Sequence, residues 1–178
     1  AILATIATFV FFEILPHFPV GVSEVHFILG STLFLIFGVA PAAFGLAAGL
    51  LIQGLFFAPI DLPQYFMNLT SLLIPLFALS VIAKAVIAPN TAYADLSYRQ
   101  ALMLSTSYQA GVVGWVAFWV FYGQGFGAET FASVGLFGMA YMSVIILEPV
   151  VDLAVLALAK MMRDTPASGL MQPRVYSA

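Results

Sequence analysis

Long apolar runs with very few charges are the feature that most constrains this chain. The runs repeatedly approach or reach the roughly 20 residues that a helix needs to cross a bilayer core of about 30 Å. Only 7% of the 178 residues are charged and 63% are hydrophobic, whereas a soluble domain carries about 25% charged residues. The runs also lack the ~10-residue alternation of a membrane β-barrel. The sequence therefore predicts an all-α integral membrane protein.

Six transmembrane helices are visible, within one polytopic domain over residues 1–163. The predicted segments are Ala1–Leu15, Glu24–Phe37, Ala42–Phe57, Asn68–Ile87, Tyr98–Phe121, and a last one from Thr130 to about Lys160. The second and third are joined so closely that they predict a tight helical hairpin, with Pro41 at the start of the third helix. The last is expected to kink near Pro149 without breaking. Residues 164–178 are predicted to be a solvated cytoplasmic tail, and a further helix is expected before Ala1, which would make seven.

The distribution of the basic residues agrees with six helices that cross the membrane in alternating directions. Six alternating helices place all five on one side: Lys84, Arg99, Lys160, Arg163 and Arg174. The positive-inside rule then makes that side, with the C-terminus, cytoplasmic. The five charges form no cluster, so nucleic acid is not expected as a partner.

The opposite face collects the polar side chains that favour metal binding. His26 lies near the start of the second segment with Ser23 and Glu24, and Gln53 and Asn68 reach the same layer. Neutral imidazole is a common metal ligand, and neighbouring amides can orient it. The alternative is an interfacial histidine capped by its polar neighbours. The other histidine, His17, lies between two prolines and is interpreted as part of an exposed loop.

Two carboxylates in the last segment share one helix face. Glu148 and Asp152 are four residues apart, and such a pair can be a proton relay, a cation site or an interfacial acidic face. Counting along the helix places Glu148 near the cytoplasmic boundary. Docking of a cytoplasmic partner is therefore a second use, which the pair would share with the loop from Asp95 to Arg99.

Other patterns limit the chemistry. The chain has no cysteine, so any metal must be held by nitrogen or oxygen. It has no phosphate-binding loop, so we expect that the chain does not hydrolyse ATP by itself. Gly45 and Gly49 form a small-xxx-small motif that we interpret as internal packing rather than dimerisation. No nucleophile is paired with a base, which argues against an enzyme.

The order and spacing of several short motifs resemble the CbiM/NikM family, the substrate-binding membrane components of energy-coupling factor (ECF) importers. The motifs are Val22-Ser23-Glu24-Val25-His26, Leu29-Gly30-Ser31-Thr32-Leu33-Phe34, Ala40-Pro41-Ala42-Ala43, Gln53-Gly54-Leu55-Phe56-Phe57-Ala58, Met67-Asn68 and Glu148-Pro149-Val150-Val151-Asp152. The resemblance extends from Glu13 to about Lys160.

The resemblance implies that His26 binds metal. In the family, this imidazole completes a nitrogen-rich, roughly planar site with the N-terminal amine and a histidine near the start of the chain. Planar nitrogen ligation suits Ni(II), and the family also handles cobalt. The family's Met-His start is absent at Ala1, so we expect that an N-terminal segment is missing. Ser23, Glu24, Gln53 and Asn68 are interpreted from their positions as supporting groups.

The resemblance further implies a transport subunit of the cytoplasmic (inner) membrane rather than an enzyme. Its transported substrate would be Co(II) or Ni(II), for example to supply cobalamin biosynthesis, with no organic cofactor. Its partners would be a transmembrane coupling (T) component, ABC ATPase subunits and a small auxiliary membrane subunit. The competing hypothesis is a scaffold or accessory subunit of another membrane complex, which keeps the fold without metal transport.

Overall fold

Helices form most of the computed structural model, which describes residues 1–15, 18–20 and 23–177. The elements are α1 (Ile2–Phe9), a π-helical turn (Val10–Ile14), β1 (Phe18–Val20), β2 (Ser23–Val25), α2 (Gly30–Phe37), α3 (Val39–Phe56), a 3-10 turn (Pro59–Gln64), α4 (Tyr65–Val86), a 3-10 turn (Tyr93–Asp95), α5 (Tyr98–Gln124), α6 (Ala128–Met162), a 3-10 turn (Pro166–Leu170) and α7 (Pro173–Tyr176). The strands pair as a short antiparallel hairpin.

The predicted all-α membrane class is confirmed, and each of the six predicted segments contains one helix. Three helical stretches in the described part of the chain are long and apolar enough to cross a bilayer: Val39–Phe56, Pro59–Val86 and Ala128–Met162. The 27 residues of α5 add a helix about 40 Å long. The helical residues from Ile2 to Ile14 form a shorter apolar helix.

The predicted helix over Glu24–Phe37 is wrong in its first half. Only Gly30–Phe37 is helical, which covers roughly 12 Å of the ~30 Å core. The preceding residues, Ser23–Leu29, form β2 and an irregular stretch that ends with Leu29 at φ 51°. Irregular backbone at membrane depth is tolerated where it is buried in protein or lines a cavity. Both conditions hold here, and periodicity alone does not reveal either.

The predicted hairpin between the second and third segments is confirmed. Gly38 alone separates α2 from α3, and its φ of 88° and ψ of 169° suit a residue without a Cβ. Pro41 lies in the first turn of α3, where its missing N–H leaves no helical bond unmade.

The small residues of α3 pack within the chain, as predicted. A Cβ on Gly45 would lie 2.6 Å from the Cβ of Ala4, and one on Gly49 would lie 2.6 Å from the Cγ2 of Thr8. Close approach of α1 and α3 therefore depends on both glycines.

Three basic residues bond to neighbouring elements at one end of the bundle. Lys160 donates to the carbonyl of Ala94 at 2.8 Å, Arg163 pairs with Asp95 at 2.6 Å, and Arg174 donates to the carbonyl of Leu35 at 3.1 Å. These contacts join the ends of α2 and α6, the loop before α5 and the C-terminal segment.

The C-terminal segment, predicted as a solvated tail, is mostly exposed in its described residues, but its last part packs against the bundle. Val175 is only 5% exposed, and the Tyr176 hydroxyl donates to the carbonyl of Ala159 at 2.8 Å. The predicted tail therefore ends in a short helix, α7, that packs against the bundle through Val175 and Tyr176.

Candidate metal centre

A cavity of about 680 Å³ lies between the β-hairpin and helices α3 to α6. It brings together all five residues that the sequence predicts at a metal site: Ser23, Glu24, His26, Gln53 and Asn68. They come from three separate segments of the chain. Folding therefore converts a scattered set of polar residues into one lining.

His26 follows β2 and is half-buried at the cavity wall. Its Nδ1 atom lies 3.3 Å from the carbonyl oxygen of Phe27. When Nδ1 carries the proton and donates to that carbonyl, Nε2 holds the lone pair that can bind a metal. The local backbone thus supports one tautomer of a metal-binding imidazole.

The π-helical turn at the end of α1 supports the same ring. Its Phe12 is buried and meets His26 edge-to-face, with 4.7 Å between ring centroids. Single π-helical turns occur often at functional sites. Nothing in the apolar pattern of the first segment distinguishes Phe12 from its neighbours, so the sequence does not predict this contact.

The amide residues reach the cavity from helix ends. Gln53 lies in the last turn of α3, and Asn68 lies in the first turn of α4. Both are half-buried. Their amide groups can bond a ligand, a bound water or a neighbouring side chain.

The described lining of the cavity is acidic. It includes Glu24 and Asp61 and no lysine or arginine. Four of the five basic residues lie at helix ends or loops at the opposite end, and Arg174 bonds to the end of α2 there. This charge separation favours a cation in the cavity over an anion.

The cavity does not hold a complete metal site from the described side chains. No group of three or more His, Asp or Glu residues among them has metal-binding geometry. The candidate centre is thus one imidazole in an acidic, amide-bearing cavity. His17 lies outside the described residues.

The structure corrects the placement of Glu148 and Asp152. Their exposed fractions are 0% and 3%, so neither forms an interfacial acidic face or a docking surface. Glu148 bonds to Gln109 of α5, which lies about 16 Å from the start of that helix. The count along the last segment misplaced the pair because α6 is 35 residues long and extends well beyond a bilayer core.

The two carboxylates instead bond to the start of α2. Glu148 accepts hydrogen bonds from the backbone N–H groups of Ile28 and Leu29, each at 2.8 Å. Asp152 accepts from the hydroxyls of Ser31, at 2.6 Å, and Thr32.

Sequence reasoning missed the polar residues that complete this cluster. The Tyr141 hydroxyl donates to Gln109 at 2.9 Å, and Gln109 donates to Glu148; all three are buried. Gln109 could have been noticed as an amide within an apolar span, where polar groups are costly unless paired or used.

The predicted docking residues of the loop remain at the surface. Asp95 and Arg99 are both exposed, and Asp95 pairs with Arg163 across to the end of α6. The contacts of Asp95 and Ala94 with the C-terminal end of α6 hold the loop in one position, so its exposed residues form a defined surface.

Comparison with known families gives one match. Residues 1–165 match the model of the CbiM family, described as the cobalt uptake substrate-specific transmembrane region. Neither a search of curated proteins nor a search of solved structures finds a significant match.

Proposed function

The chain belongs to the CbiM family of cobalt uptake transmembrane proteins, and from this we propose that it is the metal-binding component of an ECF-type importer. It takes Co(II) or Ni(II) from the extracytoplasmic side. The observation that carries the proposal is the single cavity that gathers His26 with four polar residues from three segments. A transport component with this family membership is not expected to be an enzyme.

His26 supplies a nitrogen ligand to the metal in this proposal. Imidazole suits cobalt and nickel alike, and affinity for nitrogen sites rises from cobalt to nickel. Glu24 and Asp61 attract the divalent cation, while Gln53 and Asn68 orient a ligand or bound water. The remaining ligands of the metal would be groups other than the described carboxylates and His26, as the family resemblance also implies.

Energy comes from partner subunits. The chain has no phosphate-binding loop, so a transmembrane coupling component and ABC ATPase subunits are proposed to drive release into the cytoplasm. The exposed loop with Asp95 and Arg99, tied to α6 through Arg163, is the proposed docking surface. The protein would lie in the cytoplasmic membrane with its C-terminus inside, by the positive-inside rule.

Equilibrium cobalt binding tests the metal site. The protein, produced with any residues that precede Ala1 in its gene and purified without chelator, should bind cobalt with a stoichiometry of about one, since the site offers one imidazole. His26→Ala should abolish that binding because it removes the nitrogen ligand. His17→Ala is the matched control, since it removes the other histidine of the chain, and should leave cobalt affinity unchanged.

Two outcomes would oppose the proposal. Cobalt binding that survives His26→Ala would mean that the cavity does not hold the metal through this ring. A wild-type protein that is folded and monodisperse but binds neither cobalt nor nickel would instead favour a scaffold or accessory subunit.

A further inference from the structure

We propose that Glu148 is a positioning residue for the metal site: its buried carboxylate fixes the irregular segment that carries His26. This inference rests on the proposed function. This role for α6 follows neither from the residues that line the cavity nor from the family match. Glu148 itself does not line the cavity, so it acts through the backbone of the segment.

The contacts place Glu148 directly after the metal-site histidine. It accepts the N–H groups of Ile28 and Leu29, which are two and three residues beyond His26. Ile28 is also part of the cavity lining. A shift of this backbone would therefore move the imidazole relative to Gln53 and Asn68.

The backbone here has few other means of satisfying its donors. Residues 26–29 belong to no helix or strand, and Leu29 adopts the left-handed φ of 51°. Ile28 and Leu29 are buried, so water is not a ready substitute. A buried N–H without a partner is strongly unfavourable, which makes the carboxylate a condition for the observed path.

A carboxylate suits this position better than an amide does. Backbone N–H groups can only donate, and the two carboxyl oxygens of Glu148 accept from both of them and from the side-chain amide of Gln109. A glutamine in its place would turn an NH₂ group toward at least one of those three donors. The short segment would have to move or leave a donor unbonded.

The rest of the cluster keeps the carboxylate in place. Tyr141 donates to the carbonyl oxygen of Gln109, and this fixes which end of the amide faces Glu148. In this buried network Tyr141 of α6 donates to Gln109 of α5, Gln109 donates to Glu148 of α6, and Glu148 accepts from the segment that carries His26.

Asp152 provides a natural contrast on the same helix. It lies one turn from Glu148 and is equally buried, but it accepts from the hydroxyls of Ser31 and Thr32. Hydroxyls can rotate to donate or accept, so an asparagine at 152 still finds partners. Its contacts are also on α2 itself, beyond the irregular segment.

Glu148→Gln and Asp152→Asn are the matched pair that tests the proposal. Each removes one buried carboxylate and nearly preserves volume. Hydrogen–deuterium exchange of the metal-free proteins should show faster exchange in residues 25–30 for Glu148→Gln by about tenfold, equivalent to about 1.4 kcal/mol. Cobalt affinity should fall about 10–100-fold, as for other groups that orient metal ligands. Asp152→Asn should keep the wild-type exchange in that segment and the wild-type cobalt affinity.

Glu148→Asp extends the test and replaces the glutamine variant if the latter does not fold. It retains the carboxyl group but withdraws it by one methylene, so it should show the same two changes. Wild-type exchange and wild-type cobalt affinity in a folded Glu148 variant would overturn the inference. Absence of cobalt binding in the wild-type protein would instead count against the proposed function, while the exchange difference in metal-free protein would still decide the role of Glu148 in the fold.

Discussion

At the residue scale, the imidazole and amide side chains of the cavity could be recognised from the sequence. His26, Gln53 and Asn68 stand out because imidazoles and amides are rare in apolar segments and need a partner or a use there. Their convergence on one cavity follows from helix ends meeting at one level. The support from Phe12 and the Glu148 contacts was not predictable, because both depend on irregular backbone that no periodic pattern specifies.

Asn68 offers a test at this scale that leaves His26 intact. Asn68→Leu removes a polar group from the cavity at similar volume, and cobalt affinity should fall about 10–100-fold if the amide orients a ligand. Asn68→Asp keeps the shape and adds a negative charge, so it should bind cobalt at least as tightly as the wild type. Isothermal titration of both variants measures this, and wild-type affinity in Asn68→Leu would remove the amide from the site.

Whole elements were predicted well where the apolar run was long, and poorly where it was short. The helix α5 begins at Tyr98, as predicted, because Ser97 and Gln100 form a capping box there. The segment before α2 was wrongly predicted to be helical. When a segment is buried on all sides, its residues are apolar whether it is strand, coil or helix, so composition does not distinguish the three. Its irregular path is set by Glu148, more than a hundred residues away in the chain, and local sequence holds no sign of that.

The contact between α1 and α3 gives a prediction for an element pair. Gly49→Ala should lower stability by about 1–3 kcal/mol, the usual cost of overpacking, because its methyl group would meet Thr8. Gly114→Ala in α5 is the control: apart from its chain neighbours and the backbone of its own helix, no atom lies within 4 Å of the added Cβ. Alanine is favoured over glycine in a helix by about 0.5–1 kcal/mol. Unfolding in a denaturing detergent compares them, and equal stabilities would contradict the packing.

At the scale of the molecule, charge distinguishes the two ends of the bundle. The end that holds Lys160, Arg163 and Arg174 also holds the exposed loop around Asp95. The cavity with His26 lies toward the other end, lined by acidic and amide groups. The helix α6 connects them, since it carries Glu148 beside the segment that bears His26 and Lys160 at the loop. The one-sided placement of basic residues was predictable from the sequence, whereas the link through α6 was not.

Uptake of radioactive cobalt tests the central claim most directly. Cells that lack other cobalt importers would express the protein, with its natural N-terminus, together with its coupling and ATPase subunits. We predict cobalt accumulation that depends on the wild-type chain and is lost with His26→Ala, while His17→Ala retains it. Equal accumulation with His26→Ala, or none with the wild-type chain in the assembled complex, would contradict a cobalt importer that binds its substrate through His26.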